Sequence, residues 1–76
     1  MFEQGKRYAV TAGGSLIGWI EEDEFVRSSE DGQMLYRIDG TDIYLPASPT
    51  QHLGWLDGLT GRDLDGNTLF ELELDG

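Results

Sequence analysis

His52 is the only histidine in this 76-residue chain, so any chemistry that needs an imidazole must pass through it. Hydrolytic triads place an imidazole within reach of both a nucleophile and a carboxylate, and no nucleophile motif such as G-x-S-x-G accompanies His52. No catalytic residue is assigned, and an enzyme is not expected. The stretch DLDGN, residues 63 to 67, resembles the start of a calcium loop, but Thr68 and Leu74 stand where an EF-hand needs its glycine and its bidentate glutamate. It reads as a hairpin turn. Glu21, Asp39, Asp57 and Asp75 recur every 18 residues and could form a carboxylate ring able to hold a hard cation. Asp before Gly is also ordinary turn chemistry, and the turn role is the expected one. No metal or cofactor is assigned.

The elements that would position these residues follow from an internal repeat. LIGWIEE (16 to 22), MLYRIDG (34 to 40) and HLGWLDG (52 to 58) are 18 residues apart. After a four-residue lead-in the whole chain divides into ungapped units at 5–22, 23–40, 41–58 and 59–76, and such a period is sought before any element is assigned. Each unit holds two short runs rich in β-branched or aromatic residues, a polar turn between them and a closing turn that is Asp-Gly in three units. This is hairpin punctuation. No stretch sustains a helical period, and Pro46 and Pro49 fall in a turn. The expected fold is all-β: a closed pseudo-fourfold ring or shallow barrel of four antiparallel hairpins, about eight short strands, with closure removing exposed strand edges.

If the ninth and tenth positions of each unit form the loop, Tyr8 faces Trp19, Val26 faces Arg37, Tyr44 faces Trp55 and Arg62 faces Glu73, pairs of kinds that stabilise neighbouring strands. Unit four can shift slightly, because Asp65-Gly66 falls early. Side-chain parity on the second strands then puts Leu16, Gly18 and Ile20, with their counterparts, on the core face. The hub is expected at Ile20, Tyr36, Ile38, Leu56, Leu72 and Leu74. Along the order Gly18, Tyr36, Gly54, Leu72 small residues alternate with large ones, a way to fill a narrow centre. The tyrosines and tryptophans of units one and three then lie outside.

This recurrent unit, seen as IDGTDIYLPASPTQHLGWLDG and GRDLDGNTLFELELDG, resembles the 4-fold beta flower domains of bacteria over residues 5 to 76. Unit one departs by ending Glu21-Glu22 and unit four by lacking the Gly-Trp pair. The resemblance implies a small symmetric barrel with a hydrophobic centre and brings no activity or catalytic residues with it.

Composition narrows the partners. Net charge is −10, with 15 acidic and 5 basic residues, which opposes direct binding to nucleic acid or anionic lipid. There is no cysteine, and neither a signal peptide nor an apolar run long enough for a membrane span is recognisable. A cytoplasmic protein is expected. Exposed Trp and Tyr are typical interface anchors, so Tyr8, Trp19, Tyr44 and Trp55 are candidate partner-binding residues. Two opposed pairs suit two equivalent contacts or a homodimer. The leading expectation is a non-catalytic protein-interaction module of bacterial or phage origin. A second is an acidic mimic of nucleic acid that occupies a DNA- or RNA-binding protein through Glu21, Glu22, Asp23 and Glu24. A third is a small lipid or hydrophobic-ligand binder using the hub.

Overall fold

The polar turns separate eight strands: β1 (Arg7–Ala12), β2 (Ser15–Glu21), β3 (Phe25–Ser28), β4 (Met34–Asp39), β5 (Asp42–Leu45), β6 (Gln51–Asp57), β7 (Thr60–Asp63) and β8 (Thr68–Leu74). The computed structural model describes residues 2–3, 5–46 and 49–75. Each strand pairs antiparallel with the next, and β8 returns to pair antiparallel with β1, closing a barrel. Asp75 N donates to Arg7 O at 2.9 Å, tying the two ends of the ring together. Gly76, the last residue of the fourth closing turn, lies outside the described residues. No helix occurs among the described residues. Pro46 and Pro49 lie between β5 and β6, where neither removes a ladder donor.

Successive hairpins are joined at one end of the barrel by short turns. Gly40 and Gly58, each the first of two linking residues, have φ of 64°, the backbone region that glycine enters without a Cβ penalty. Glu22 stands in the corresponding place and has the same φ of 64°. This first junction is one residue longer, since five residues separate Ile20 from its partner Val26 where four separate Ile38 from Ile43 and Leu56 from Gly61. The Asp23 carboxylate absorbs the extra residue by accepting from Phe25 N at 3.0 Å and from Arg27 at 2.6 Å.

Every hairpin carries one β-bulge at the same level. Val10 faces Gly18 but Thr11 faces Leu16, leaving Ile17 as the extra residue. The same slip leaves Leu35 between Tyr36 and Met34, Leu53 between Gly54 and His52, and Leu69 between Phe70 and Thr68. All four extra residues are aliphatic, half-buried and packed against the core. A bulge re-aims the side chains beyond it, so the parity inferred from strict alternation fails there. Leu16, Met34 and His52 leave the core face and are exposed, each now opposite the residue after an inward one.

The inward belt is continuous. Val10 faces Gly18 and Leu72, Val26 faces Tyr36 and Ile20, Ile43 faces Gly54 and Ile38, and Gly61 faces Phe70 and Leu56. Of the expected hub, Ile20, Ile38, Leu56 and Leu72 are buried and Tyr36 is half-buried. Leu74 is not part of it, being 52% exposed. The β7–β8 turn is shorter than the β3–β4 and β5–β6 turns and brings Phe70 level with Gly18, Tyr36 and Gly54, so Leu72 takes the place that Ile20, Ile38 and Leu56 hold in the other hairpins. Tyr36 and Phe70 meet with ring centroids 5.0 Å apart, filling the centre with the chain's own side chains.

Glycine serves two purposes here. A Cβ on Gly61 would lie 2.7 Å from the Phe70 ring, so this glycine makes room for a side chain. A Cβ on Gly18 or Gly54 would instead lie 2.1 Å from the Arg27 carbonyl oxygen or 1.8 Å from that of Arg62. The Gly-Trp glycines therefore admit the backbone of the next hairpin rather than a bulky core residue, which corrects the reading from alternating side-chain size.

Candidate interaction surface

The Tyr-Trp pairs expected across the first and third hairpins do not form. Tyr8 faces Ile20, and Trp19 faces Ala9. Tyr8 is 2% exposed; its ring packs against Phe2 at 5.2 Å, and its hydroxyl accepts from Glu3 N at 2.8 Å. It is a core residue and leaves the set of surface candidates. Tyr44 faces His52, and Trp55 faces Asp42. Val26 likewise faces Tyr36 rather than Arg37, and Arg62 faces Thr68 rather than Glu73. In the first hairpin the bulge places the partner one residue beyond the counted one, whereas in the other three the loop is not where it was counted from and the count overshoots.

The tryptophans are nonetheless on the outer wall, each opposite an arginine of the next hairpin: Trp19 faces Arg27, and Trp55 faces Arg62. Their surroundings differ. The Arg7 guanidinium sits 4.3 Å from the centroid of the Trp19 ring and is held by an ion pair to Asp75. This cation–π contact covers one face of a half-buried indole. Beside Trp55, Arg62 is drawn away toward Asp57 at 3.4 Å and the Gly66 carbonyl oxygen at 3.1 Å. Trp55 remains 37% exposed.

A strip of mixed chemistry surrounds Trp55 on β5, β6 and β7. His52 Nε2 lies 3.2 Å from Asp42 Oδ1, and the imidazole tilts against the Tyr44 ring at 5.3 Å. Asp42 directly faces Asp39, a like-charge pairing that is unfavourable in a sheet. His52 hydrogen-bonds one of these carboxylates, and Arg37 lies 3.8 Å from the other. His52 thus stands on the outer wall rather than on the core face.

The acidic residues are dispersed by similar pairings. Glu21 stands opposite Arg7, Asp39 beside Arg37, Asp57 beside Arg62, and Asp75 beside Arg7. All four are exposed. Among the described residues no group of three or more His, Asp or Glu is placed to hold a metal ion. In the DLDGN turn, Asp63 Oδ1 accepts from the backbone N–H groups of Asp65 and Asn67, each at 2.9 Å, the local bonding that makes Asp a turn former. Within the cluster Glu21 to Glu24, Asp23 pairs with Arg27 and Glu24 with Arg37 at 3.4 Å. Glu21 and Glu22 are exposed.

No helix of the described residues is long and apolar enough to cross a membrane. Comparison with family models, curated proteins and solved structures finds no match to this chain.

Proposed function

We propose that the chain is a non-catalytic protein-interaction module that presents Trp55 at the centre of its contact surface. The observation that carries this reading is the contrast between two equivalent indoles, Trp19 with the Arg7 guanidinium over one face and Trp55 with no such cation over it among the described residues and 37% exposed. A large aromatic on a rigid closed sheet, bordered by Tyr44, His52, Asp42 and Arg62, combines an apolar anchor with polar groups at its edge. Interface hot spots have this character. The resemblance to beta flower domains supplies neither an activity nor a partner.

Capture by the immobilised protein from a lysate of its source cells tests the proposal. Trp55→Ala is expected to abolish capture of a partner held by the parent chain, and Trp19→Ala to weaken it less, with circular dichroism confirming that both variants fold. Retention should change little between about 50 and 500 mM salt, because an apolar anchor is not screened. The acidic-mimic alternative rests on the net charge of −10 and on exposed Glu21 and Glu22. It predicts the reverse: capture lost as salt rises, and greater sensitivity to neutralising Glu21 and Glu22 than to either tryptophan change.

A further inference from the structure

A second surface lies on the first two hairpins, away from Trp55. Leu16, Ile17, Ser28, Ser29, Glu30 and Leu35 line a groove of about 250 Å³. Its apolar side is a product of the bulges. Ile17 and Leu35 are the extra residues of their hairpins and rest on the core, while Leu16 is turned outward and is 46% exposed. The opposite side is the β3–β4 turn, fixed by Ser29 N donating to Ile17 O at 3.0 Å, Ser28 N to Gln33 O at 2.8 Å, and Gly32 N to Ser28 O at 3.0 Å. The groove is therefore formed before anything enters it.

We infer that this groove receives one apolar side chain from a basic peptide segment, with a neighbouring Lys or Arg of that segment pairing with Glu30. Volume limits the occupant, since pockets for whole small molecules usually measure about 300–1,000 Å³. A single leucine-sized or aromatic side chain suits the smaller space. Charge selects what flanks it. Glu30, on the rim of this groove, has no ion-pair partner among the described residues, as is true of several other carboxylates of this acidic chain. A partner that brings its own cation can pair with it beside the apolar groove, and the net charge of −10 attracts such a partner while repelling a second copy of this chain.

The test is an amide chemical-shift titration of the ¹⁵N-labelled protein with end-blocked Gly-Arg-Leu-Arg-Gly. Two controls replace the leucine by alanine or both arginines by glutamate. The expected result is saturable shifts at Leu16, Ile17, Ser29, Glu30 and Leu35, with the alanine peptide binding about 10-fold more weakly and the glutamate peptide weaker still. Leu16→Ala in the protein should lower affinity by a similar factor. Glu30→Gln should lower it by about 2- to 5-fold, the range of an exposed ion pair. Both side chains are exposed, so both variants keep the parent spectrum elsewhere. Absence of shifts up to about 5 mM peptide, well past the millimolar affinity of a minimal contact, would overturn the inference. So would equal responses to all three peptides, shifts centred on Trp55, or concentration-dependent shifts at the groove without peptide, which would assign it to self-association. The Trp55 capture assay is read on the other side of the barrel, so either proposal can fail alone.

Discussion

Replacing Gly54 by alanine adds one carbon at a place where two strands touch. That carbon would sit 1.8 Å from the carbonyl oxygen of Arg62 and 2.8 Å from its carbonyl carbon and from Asp63 Cα. Non-bonded carbon atoms are comfortable at about 3.5–4.0 Å, so β6 and β7 must part by more than about 1 Å. The obstacle is backbone, which cannot swing aside as a side chain could. Parting also strains the Gly54–Asp63 and Leu56–Gly61 pairings, and in a closed barrel the displacement is passed on to β8. The cost should be about 3 kcal/mol or more, the upper range of overpacking. Alanine restores only about 0.4–1 kcal/mol by restricting the unfolded chain. Total stability for a domain of this size is about 4–11 kcal/mol, and each kcal/mol shifts the melting temperature by about 4–8 °C. A thermal melt followed by circular dichroism should therefore show Gly54→Ala melting at least about 10 °C below the parent, with Gly18→Ala close behind. If Gly54→Ala melts within about 2 °C of the parent, the strands do not approach as described and the glycine is only a small core residue.

Glu22→Gly should raise the melting temperature. A non-glycine residue in the left-handed region costs about 1–2 kcal/mol, of which glycine's greater unfolded-state entropy returns about 0.4–1 kcal/mol. A net gain of about 0.5–1 kcal/mol, read by denaturant titration, is expected; a loss would mean that the Glu22 side chain makes a stabilising contact. Leu56→Ala should cost about 2–4 kcal/mol, whereas Leu74→Ala, at a half-exposed site, should cost less than about 1 kcal/mol in the same titration. Equal losses would restore Leu74 to the hub. Tyr8→Phe should lose about 0.5–1.5 kcal/mol with the hydroxyl's bond to Glu3 N, and an unchanged midpoint would show that this bond is not maintained in solution.

The architecture was legible because it is written in turns. Gly40 and Gly58, the Asp residues that bond their own turns, and the recurring aliphatic positions together specify antiparallel hairpins, and four of them close a barrel that leaves no edge. The hub was legible at Ile20, Ile38 and Leu56, which lie on the junction side of the bulges where strict alternation holds. Beyond the bulges it was not. An extra residue in each second strand leaves no mark on a periodic sequence, since Ile17, Leu35, Leu53 and Leu69 look like ordinary strand residues. Their one signal is that all four are aliphatic at positions read as outward. Tyr8 was misplaced for a related reason. Two residues separate β1 from β2 where five separate β5 from β6, and this odd difference reverses the face, so Tyr8 and Tyr44 share a repeat position but not a direction. The difference between the two indoles depends on where arginines reach, Arg7 over the Trp19 ring and Arg62 to the Gly66 carbonyl oxygen. No pairwise motif encodes it.

The bulged register decides which aromatic residues are available to a partner, and aromatic nuclear Overhauser contacts report it directly. In a ¹³C-edited spectrum of the free protein the Tyr8 ring should show contacts to Phe2 and to the strand positions of Ile20 and Leu74. The Trp19 indole should instead show contacts to the Arg7 side chain, and the Tyr44 ring to His52. Strong contacts from Tyr8 to the Trp19 indole and from Tyr44 to the Trp55 indole, with none between Tyr8 and Phe2, would contradict the bulged barrel and the surface built on it.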